Sequence, residues 1–168
     1  VLEYAYKRST GPIVGAFLTA LRSRRILGAR TSNGRVICPA TEYDPATGED
    51  VVDLVEVGPG GVVETWHDGW ALIRPDGADT AMLHRLEASE PRAGLRVFPR
   101  WRAETRGHIS DIEAWTPEPT APGADPSPDA EPITRFKSPV RLDYVVAPGL
   151  GLGRSLAALM DGRILGGR

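Results

Sequence analysis

The chain has 168 residues, of which 41% are hydrophobic, 25% charged and 7% aromatic, with a formal net charge of −2 at pH 7. This length allows one ordinary domain, or one domain and a fragment, and the small negative charge argues against a general affinity for nucleic acid. The sequence contains no apolar run of about 18 residues and no recognisable secretory signal, so we expect a cytoplasmic protein without a membrane segment. Cys38 is the single cysteine, which excludes an internal disulfide and a cysteine-based zinc site.

The segment 11–25 is predicted to be a helix, and we assign residues 1–25 to an N-terminal helical region. Its apolar side chains recur at helical spacing, at Ile13, Val14, Phe17, Leu18 and Leu21. Pro12 suits the first turn of a helix. Three basic residues suit the negative end of the helix dipole, namely Arg22, Arg24 and Arg25.

Two tight turns follow the helix within a short stretch, TSNG at 31–34 and DPATG at 44–48. In the second turn, Pro45 fixes its own φ and Gly48 supplies a positive φ at the end. Each turn lies beside a short apolar segment. The spacing therefore predicts a small β-ribbon over residues 26–50.

From 51 to 116 the pattern changes to short apolar or alternating segments separated by Gly-rich turns. The predicted strands are VVDLVEV, VVETW, WALIR, TAMLHRLEA, LRVFPRWRA and HISDIEAW. This many short strands in about seventy residues favours a small closed barrel, an architecture that removes exposed sheet edges. The fold class is thus predicted to be mainly β, with a five-stranded OB-fold barrel over residues 51–116.

Residues 117–139 contain seven prolines and scattered acids, a composition typical of an extended linker. Beyond this linker, residues 144–168 match residues 6–30 at eleven of 25 positions without a gap, and RILG recurs intact. The chain is therefore predicted to contain one whole module and, over 140–168, the helical opening of a second.

Five segments of the sequence, in their order along the chain, resemble the zinc-ribbon/OB-fold proteins associated with acyl-CoA and thiolase-type enzymes. They are RILGAR (25–30), TSNGRV (31–36), DPATG (44–48) and the barrel segments 70–84 and 96–115. The resemblance covers residues 6–116 and restarts at 142. It implies a helix, then a ribbon whose two C-P-x-C-G turns hold zinc, then an OB barrel. The link between Trp66 and Trp70 is shorter than in that family, and it is either a tight hairpin or a shortened loop.

The zinc ligands that the resemblance implies are missing from this module. Thr31 and Asn33 stand near the first pair of ligand positions, and Asp44 and Thr47 replace the cysteines of the second pair. A structural zinc site takes four thiolate or imidazole ligands, and hydroxyl and amide groups are poor substitutes. We therefore expect no metal, and a ribbon held by hydrogen bonds and packing.

The sequence contains no convincing catalytic set. The glycines at 58–61 suit a hairpin between two strands, and those at 149–153 lack the preceding strand of a dinucleotide-binding motif. His84 is interpreted as structural and Cys38 as a small buried residue. We therefore predict no catalytic residue, no cofactor bound by this chain and no enzymatic activity of its own.

The resemblance implies a non-catalytic accessory subunit in a hetero-oligomer with a thiolase-fold enzyme. The double module and the arginine-rich composition fit an actinobacterial partner of a lipid-transfer-protein-like retro-aldolase of steroid side-chain degradation, with an acyl-CoA substrate in the complex. Candidate CoA-phosphate contacts are Arg22, Arg24 and Arg25. Candidate partner-interface residues are Phe17, Leu18, Leu21, Trp66, Trp70, Arg100 and Arg102. The apolar stripe of the helix can instead pack wholly on its own barrel.

The alternative function is an OB-fold module that binds single-stranded nucleic acid. In the segment 96–106, arginines interleave with Phe98 and Trp101, as in barrels that stack bases on aromatic rings. Strand alternation places Arg100 and Arg102 on one face and Trp101 on the other. A basic stripe along one barrel face would favour this alternative, whereas the net charge of −2 opposes it.

Overall fold

The computed structural model describes residues 2–119, 121, 131–145 and 147–166. Its elements are β1 Leu2–Ser9, α1 Pro12–Arg22, β2 Ile26–Thr31, β3 Val36–Ile37, β4 Val51–Val57, β5 Gly61–His67, β6 Trp70–Pro75, β7 Met82–Arg85, β8 Arg96–Trp101, a 3-10 turn Ile109–Asp111, β9 Ile112–Thr116, β10 Arg135–Leu142 and α2 Gly149–Met160. They form a large unit, Lys7–Phe136, and a small unit, Val1–Tyr6 with Lys137–Arg168.

The large unit contains a five-stranded sheet in the order β7-β6-β5-β8-β9. Its neighbouring strands are antiparallel, and a parallel bridge between Leu86 and Trp115 joins the two ends of the sheet. This order and closure are those of an OB-like barrel. The interior is apolar, with Val63, Ile73, Val97, Ile112 and Trp115 at most 1% exposed. The predicted mainly β fold with a five-stranded barrel is confirmed.

A second sheet, which we call the ribbon, has the order β3-β2-β4. Residues 51–57 were expected in the barrel but instead pair with β2, from Ile26 opposite Val57 to Thr31 opposite Val51. Strand β3 has only two residues, so the main pairing of β2 is with β4 on its opposite edge. The glycines at 58–61 consequently link two sheets rather than two strands of one hairpin.

Helix α1 lies on the ribbon through Phe17 and Leu21, which are 3% and 0% exposed. The loop between β3 and β4 caps its N-terminus, because Glu42 Oε1 accepts hydrogen bonds from the amides of Ile13 (3.1 Å) and Val14 (3.3 Å). The helix is shorter than predicted, since it ends at Arg22 and is preceded by a strand. Leu2, Tyr4 and Tyr6 alternate with polar or small residues in that strand, a period that suits β1 and not a helix.

Much of the predicted linker, residues 120 and 122–130, lies outside the described residues. Its far end is ordered against α1: the amide of Thr10 donates to the carbonyl of Thr134 (3.1 Å), and the amide of Ile133 donates to Thr19 Oγ1 (3.0 Å). A Cβ on Gly15 would lie 2.7 Å from the Ile133 carbonyl oxygen. Glycine is therefore required where this segment crosses the helix. Residues 135–142 form β10, which pairs with β1.

In the small unit, α2 is the repeat counterpart of α1, and both helices end in the same hydrogen-bonded turn. The amide of Arg25 donates to Ala20 O in the first copy, and that of Arg163 donates to Ala158 O in the second. The residue before each arginine has a positive φ, 59° at Arg24 and 70° at Gly162. The division into a complete and a partial module stays a prediction.

Candidate docking surface

The outer face of β5, β6 and β7 carries an exposed apolar patch. His67 lies opposite Trp70, which lies opposite Arg85; in the next row, Thr65 lies opposite Leu72 and Leu72 opposite Leu83. Residues directly opposite in antiparallel strands share a face. We call these six residues, His67, Trp70, Arg85, Thr65, Leu72 and Leu83, the docking face.

The docking face is the solvent side of the barrel wall. Leu83 is 64% exposed, Trp70 50% and Leu72 37%, whereas the intervening Ala71 and Ile73 are buried. This alternation follows from the strand period of two. Large exposed apolar patches mark interaction sites, which makes this face the candidate docking surface.

A two-residue turn sets the end of the docking face. Asp68 (φ 46°) and Gly69 (φ 76°) both have positive φ, as a tight hairpin turn that matches strand twist requires. The short link between Trp66 and Trp70 is therefore a hairpin. Trp66 pairs with the inward-facing Ala71 and is therefore on the opposite side of the sheet from the docking face, although it is 41% exposed at the strand end.

The rim of the docking face carries both signs of charge, with Arg85 in the row of Trp70 and Asp68 in the adjoining turn. Arg85 and His67 belong to the same row as Trp70. The next arginine along β6, Arg74, is neutralised by Glu64 at 2.9 Å. A complementary partner would thus present apolar side chains and an acidic group near Arg85.

Three of the predicted interface residues do not lie on an open surface. Phe17 and Leu21 are in the core, and Leu18 is partly buried against it. The reason is that the apolar stripe of α1 covers the ribbon of its own chain, which was the alternative reading of that stripe.

The predicted interface arginines are occupied by contacts within the chain. Arg100 binds both carboxylate oxygens of Glu87, at 2.8 and 3.0 Å, and Glu113 at 3.1 Å. Hydrogen bonds to these carboxylates raise the pKa of Arg100, and the same contact lowers the pKa of Glu87. Arg102 Nε donates to the carbonyl of Ser110 at 2.7 Å.

Arg96, in the same basic segment, is paired bidentately with Asp76, and this contact raises its pKa. Two of the four arginines that suggested a nucleic-acid stripe, Arg96 and Arg100, are therefore closely paired with acids. Phosphate binding depends on available positive charge. The charge distribution thus disfavours the single-stranded nucleic-acid alternative.

The three candidate CoA-phosphate residues make hydrogen bonds or ion pairs with different groups of this chain. Arg22 donates to the Glu131 carbonyl (3.1 Å), and Arg24 donates to the carbonyls of Arg102 (3.3 Å) and Ala103 (3.1 Å). Arg25 pairs with the Glu56 carboxylate. They do not converge on one phosphate-sized site in this structure.

Among the described residues, one hydroxyl lies within hydrogen-bond distance of an imidazole: Ser110 Oγ is 2.7 Å from His108 Nδ1 in the exposed 3-10 turn, where the same nitrogen accepts the Ser110 amide at 3.1 Å. His84 is buried; its Nδ1 accepts from the Arg85 amide (2.9 Å), its Nε2 lies 3.4 Å from the Ile109 carbonyl, and burial lowers its pKa. His108 caps the 3-10 turn. Cys38 is 1% exposed, and burial raises its pKa to about 12. Among the described residues, no three His, Cys, Asp or Glu side chains are grouped to hold a metal.

Sequence reasoning found Trp66 and Trp70 but missed Leu72, Leu83 and Arg85. Leu72 and Leu83 alternate with buried neighbours, so the strand period alone identifies them as outward-facing. Their meeting in one row depends on the register of β6 and β7, which the sequence pattern does not specify.

A scan against protein-family models finds no match, and a search of curated proteins finds none. Among solved structures, one similar chain is a DUF35-family protein of unknown function from Sulfolobus solfataricus, with 21% identity, a TM-score of 0.46, and coverage of 53% of this chain and 78% of that one. Another is the Ltp2-ChsH2(DUF35) aldolase, with 19% identity, a TM-score of 0.43, and coverage of 60% and 88%. No helix in the described part of the chain is long and apolar enough to cross a membrane.

Proposed function

We propose that this chain is a non-catalytic accessory subunit that binds and stabilises a thiolase-fold acyl-CoA enzyme. The observation that carries the proposal is the docking face, where Trp70, Leu72 and Leu83 are exposed together on the barrel wall. No catalytic set accompanies it in the described residues. The enzyme class comes from the sequence resemblance, which names lipid-transfer-protein-like retro-aldolases of steroid side-chain degradation.

The docking face has the composition of a protein interface. Trp and Arg are enriched among the residues that dominate binding energy, and here Trp70 and Arg85 are direct cross-strand partners. Burying the apolar side chains against a partner would remove them from water, at about 25 cal/mol for each Å² covered. Arg85 at the rim would select an acidic group and so fix the orientation of the partner.

In this complex the enzyme subunit binds the acyl-CoA substrate, and this chain supplies no catalytic residue and binds no cofactor. Its contribution is a rigid surface. The hairpin turn at Asp68–Gly69 and the closed barrel hold the docking face in one geometry, so little conformational entropy is lost on binding.

The test is co-purification with the lipid-transfer-protein-like enzyme of the same organism, followed by titration calorimetry. The double variant Trp70→Ser/Leu83→Ser should weaken binding at least about tenfold. Val52→Ser is the matched control, since Val52 is as exposed as Leu83, 64% each, but lies on β4, and it should leave affinity within about threefold.

The possible failures are distinguishable. If the wild-type chain elutes separately from the enzyme, the accessory function is refuted. If the complex forms and both variants bind as tightly as wild type, the docking face is wrong while the accessory function survives.

A further inference from the structure

The two turns of the ribbon, where the resemblance places zinc ligands, are each closed by hydrogen bonds. In the first turn, Thr31 Oγ1 lies 2.7 Å from Asn33 Oδ1, which also accepts the amide of Arg35 at 3.1 Å. In the second, Asp44 Oδ1 accepts the amide of Ala46 (2.8 Å), and the Asp44 carbonyl accepts that of Gly48 (2.7 Å). Both Thr31 and Asp44 are 1% exposed.

These donors do not fit zinc. Thr31, Asn33 and Thr47 offer two hydroxyls and an amide oxygen, and Asp44 offers a single carboxylate. A structural zinc site needs four thiolate or imidazole ligands. The carboxylate, moreover, already faces a cation, because Arg35 Nη1 lies 2.5 Å from Asp44 Oδ2.

We propose that the Arg35–Asp44 ion pair takes the place of the metal as a cross-link between the two turns, beside the hydrogen bonds from Ser32 to Glu49 and to the Asp50 carbonyl. Arg35 belongs to the first turn, since its carbonyl accepts the amide of Thr31 at 2.8 Å. Its guanidinium reaches across nine residues of sequence to the carboxylate of the second turn. One residue thus joins both turns, as a bound metal would.

This ion pair is partly buried. The Asp44 side chain is 2% exposed and that of Arg35 is 36% exposed. Removing Arg35 leaves the buried Asp44 carboxylate without its cation, and removing the Asp44 carboxylate breaks the cross-link, so each change costs more than losing a pair that is exposed on both sides. The cross-link also supports α1, because the β3–β4 loop that contains Asp44 also carries the helix-capping Glu42.

Hydrogen-exchange mass spectrometry of peptides covering residues 31–50 tests the proposal on the full chain. Arg35→Met and Asp44→Asn should each speed exchange there at least about tenfold. The double variant should be no worse than the more severe single variant, because both remove the same contact. The control Arg74→Met breaks an exposed pair, 44% exposed on each side, and should change exchange less than about threefold.

If Asp44→Asn does not fold, Arg35→Lys keeps the charge but loses the planar fork and should exchange at a rate between wild type and Arg35→Met. Metal content is the independent readout: protein expressed with added zinc should carry almost none, and EDTA should leave exchange unchanged. A stoichiometric zinc whose removal speeds exchange in residues 31–50 would overturn the proposal. So would single-variant effects that simply add in the double variant.

Discussion

The internal repeat offers a matched pair of leucines, Leu21 in α1 and Leu159 in α2, whose truncation should have very different costs. Leu21 is 0% exposed and lies in the core with Phe17 and Ile26, whereas Leu159 is 52% exposed. Fully buried Leu→Ala changes cost about 2.7–5.0 kcal/mol, rising with the cavity left behind. Because Leu21 is enclosed on all sides, we expect Leu21→Ala to cost about 3–5 kcal/mol and Leu159→Ala less than about 0.5 kcal/mol.

Urea unfolding followed by tryptophan fluorescence measures the stability of the large unit in both variants, since Trp115 is fully buried in the barrel. Circular dichroism at 222 nm, which follows the helices, checks that Leu159→Ala does not melt α2 separately. In thermal scans, Leu21→Ala should lower Tm by about 10 °C or more. If Leu159→Ala is as destabilising as Leu21→Ala, then α2 is buried in solution and its exposed face in this structure is wrong.

Arg24→Gly should be more stable than Arg24→Ala by about 1 kcal/mol in urea unfolding, because both lose the same side-chain bonds but only glycine relieves the φ of 59°; equal stabilities would mean that no strain exists there. Cys38, with its pKa raised by burial from 9.0 to about 12, should react with a thiol reagent at pH 8 only as fast as the protein unfolds. Stability should also fall as pH rises from 9 towards 12, since only the unfolded thiol ionises over that range, and Cys38→Ala should remove this component; a readily labelled thiol would contradict the burial. Gly15→Val should speed hydrogen exchange of residues 131–134, because its Cβ would lie 2.7 Å from the Ile133 carbonyl oxygen; unchanged protection would exclude that contact.

The sequence predicted the secondary structure correctly where buried residues recur at the helical or the strand period. Helix α1 was predicted from apolar residues at helical spacing, and the barrel from short alternating strands between Gly-rich turns. The sheet to which 51–57 belongs did not follow, because a half-buried strand can pair with any open edge. Its place depends on the edge of β2 opposite β3 being free for pairing, and the tertiary fold decides this.

The candidate site was only partly accessible from sequence for the same reason. Trp66 and Trp70 were identified as contact residues, whereas Leu72 and Leu83 become one surface only through the register of β6 and β7. No sequence pattern around Arg35 indicated that it contacts the second turn. Its role arises because the chain folds back and brings Asp44 within 2.5 Å of its guanidinium, a contact that spacing does not reveal.

The two copies of the helix separate what its sequence specifies from what its surroundings supply. Both end in the same hydrogen-bonded turn, to Ala20 in one copy and Ala158 in the other, so the helix and its termination are encoded locally. The burial of the residues that follow the helix is not encoded locally, since Ile26 is 3% exposed while its counterpart Ile164 is 89% exposed. In the first copy, Val57 of β4 lies opposite Ile26. The apolar helical pattern is thus buried in the first copy, through Phe17 and Leu21, and exposed in the described part of the second, where Leu159 is 52% exposed.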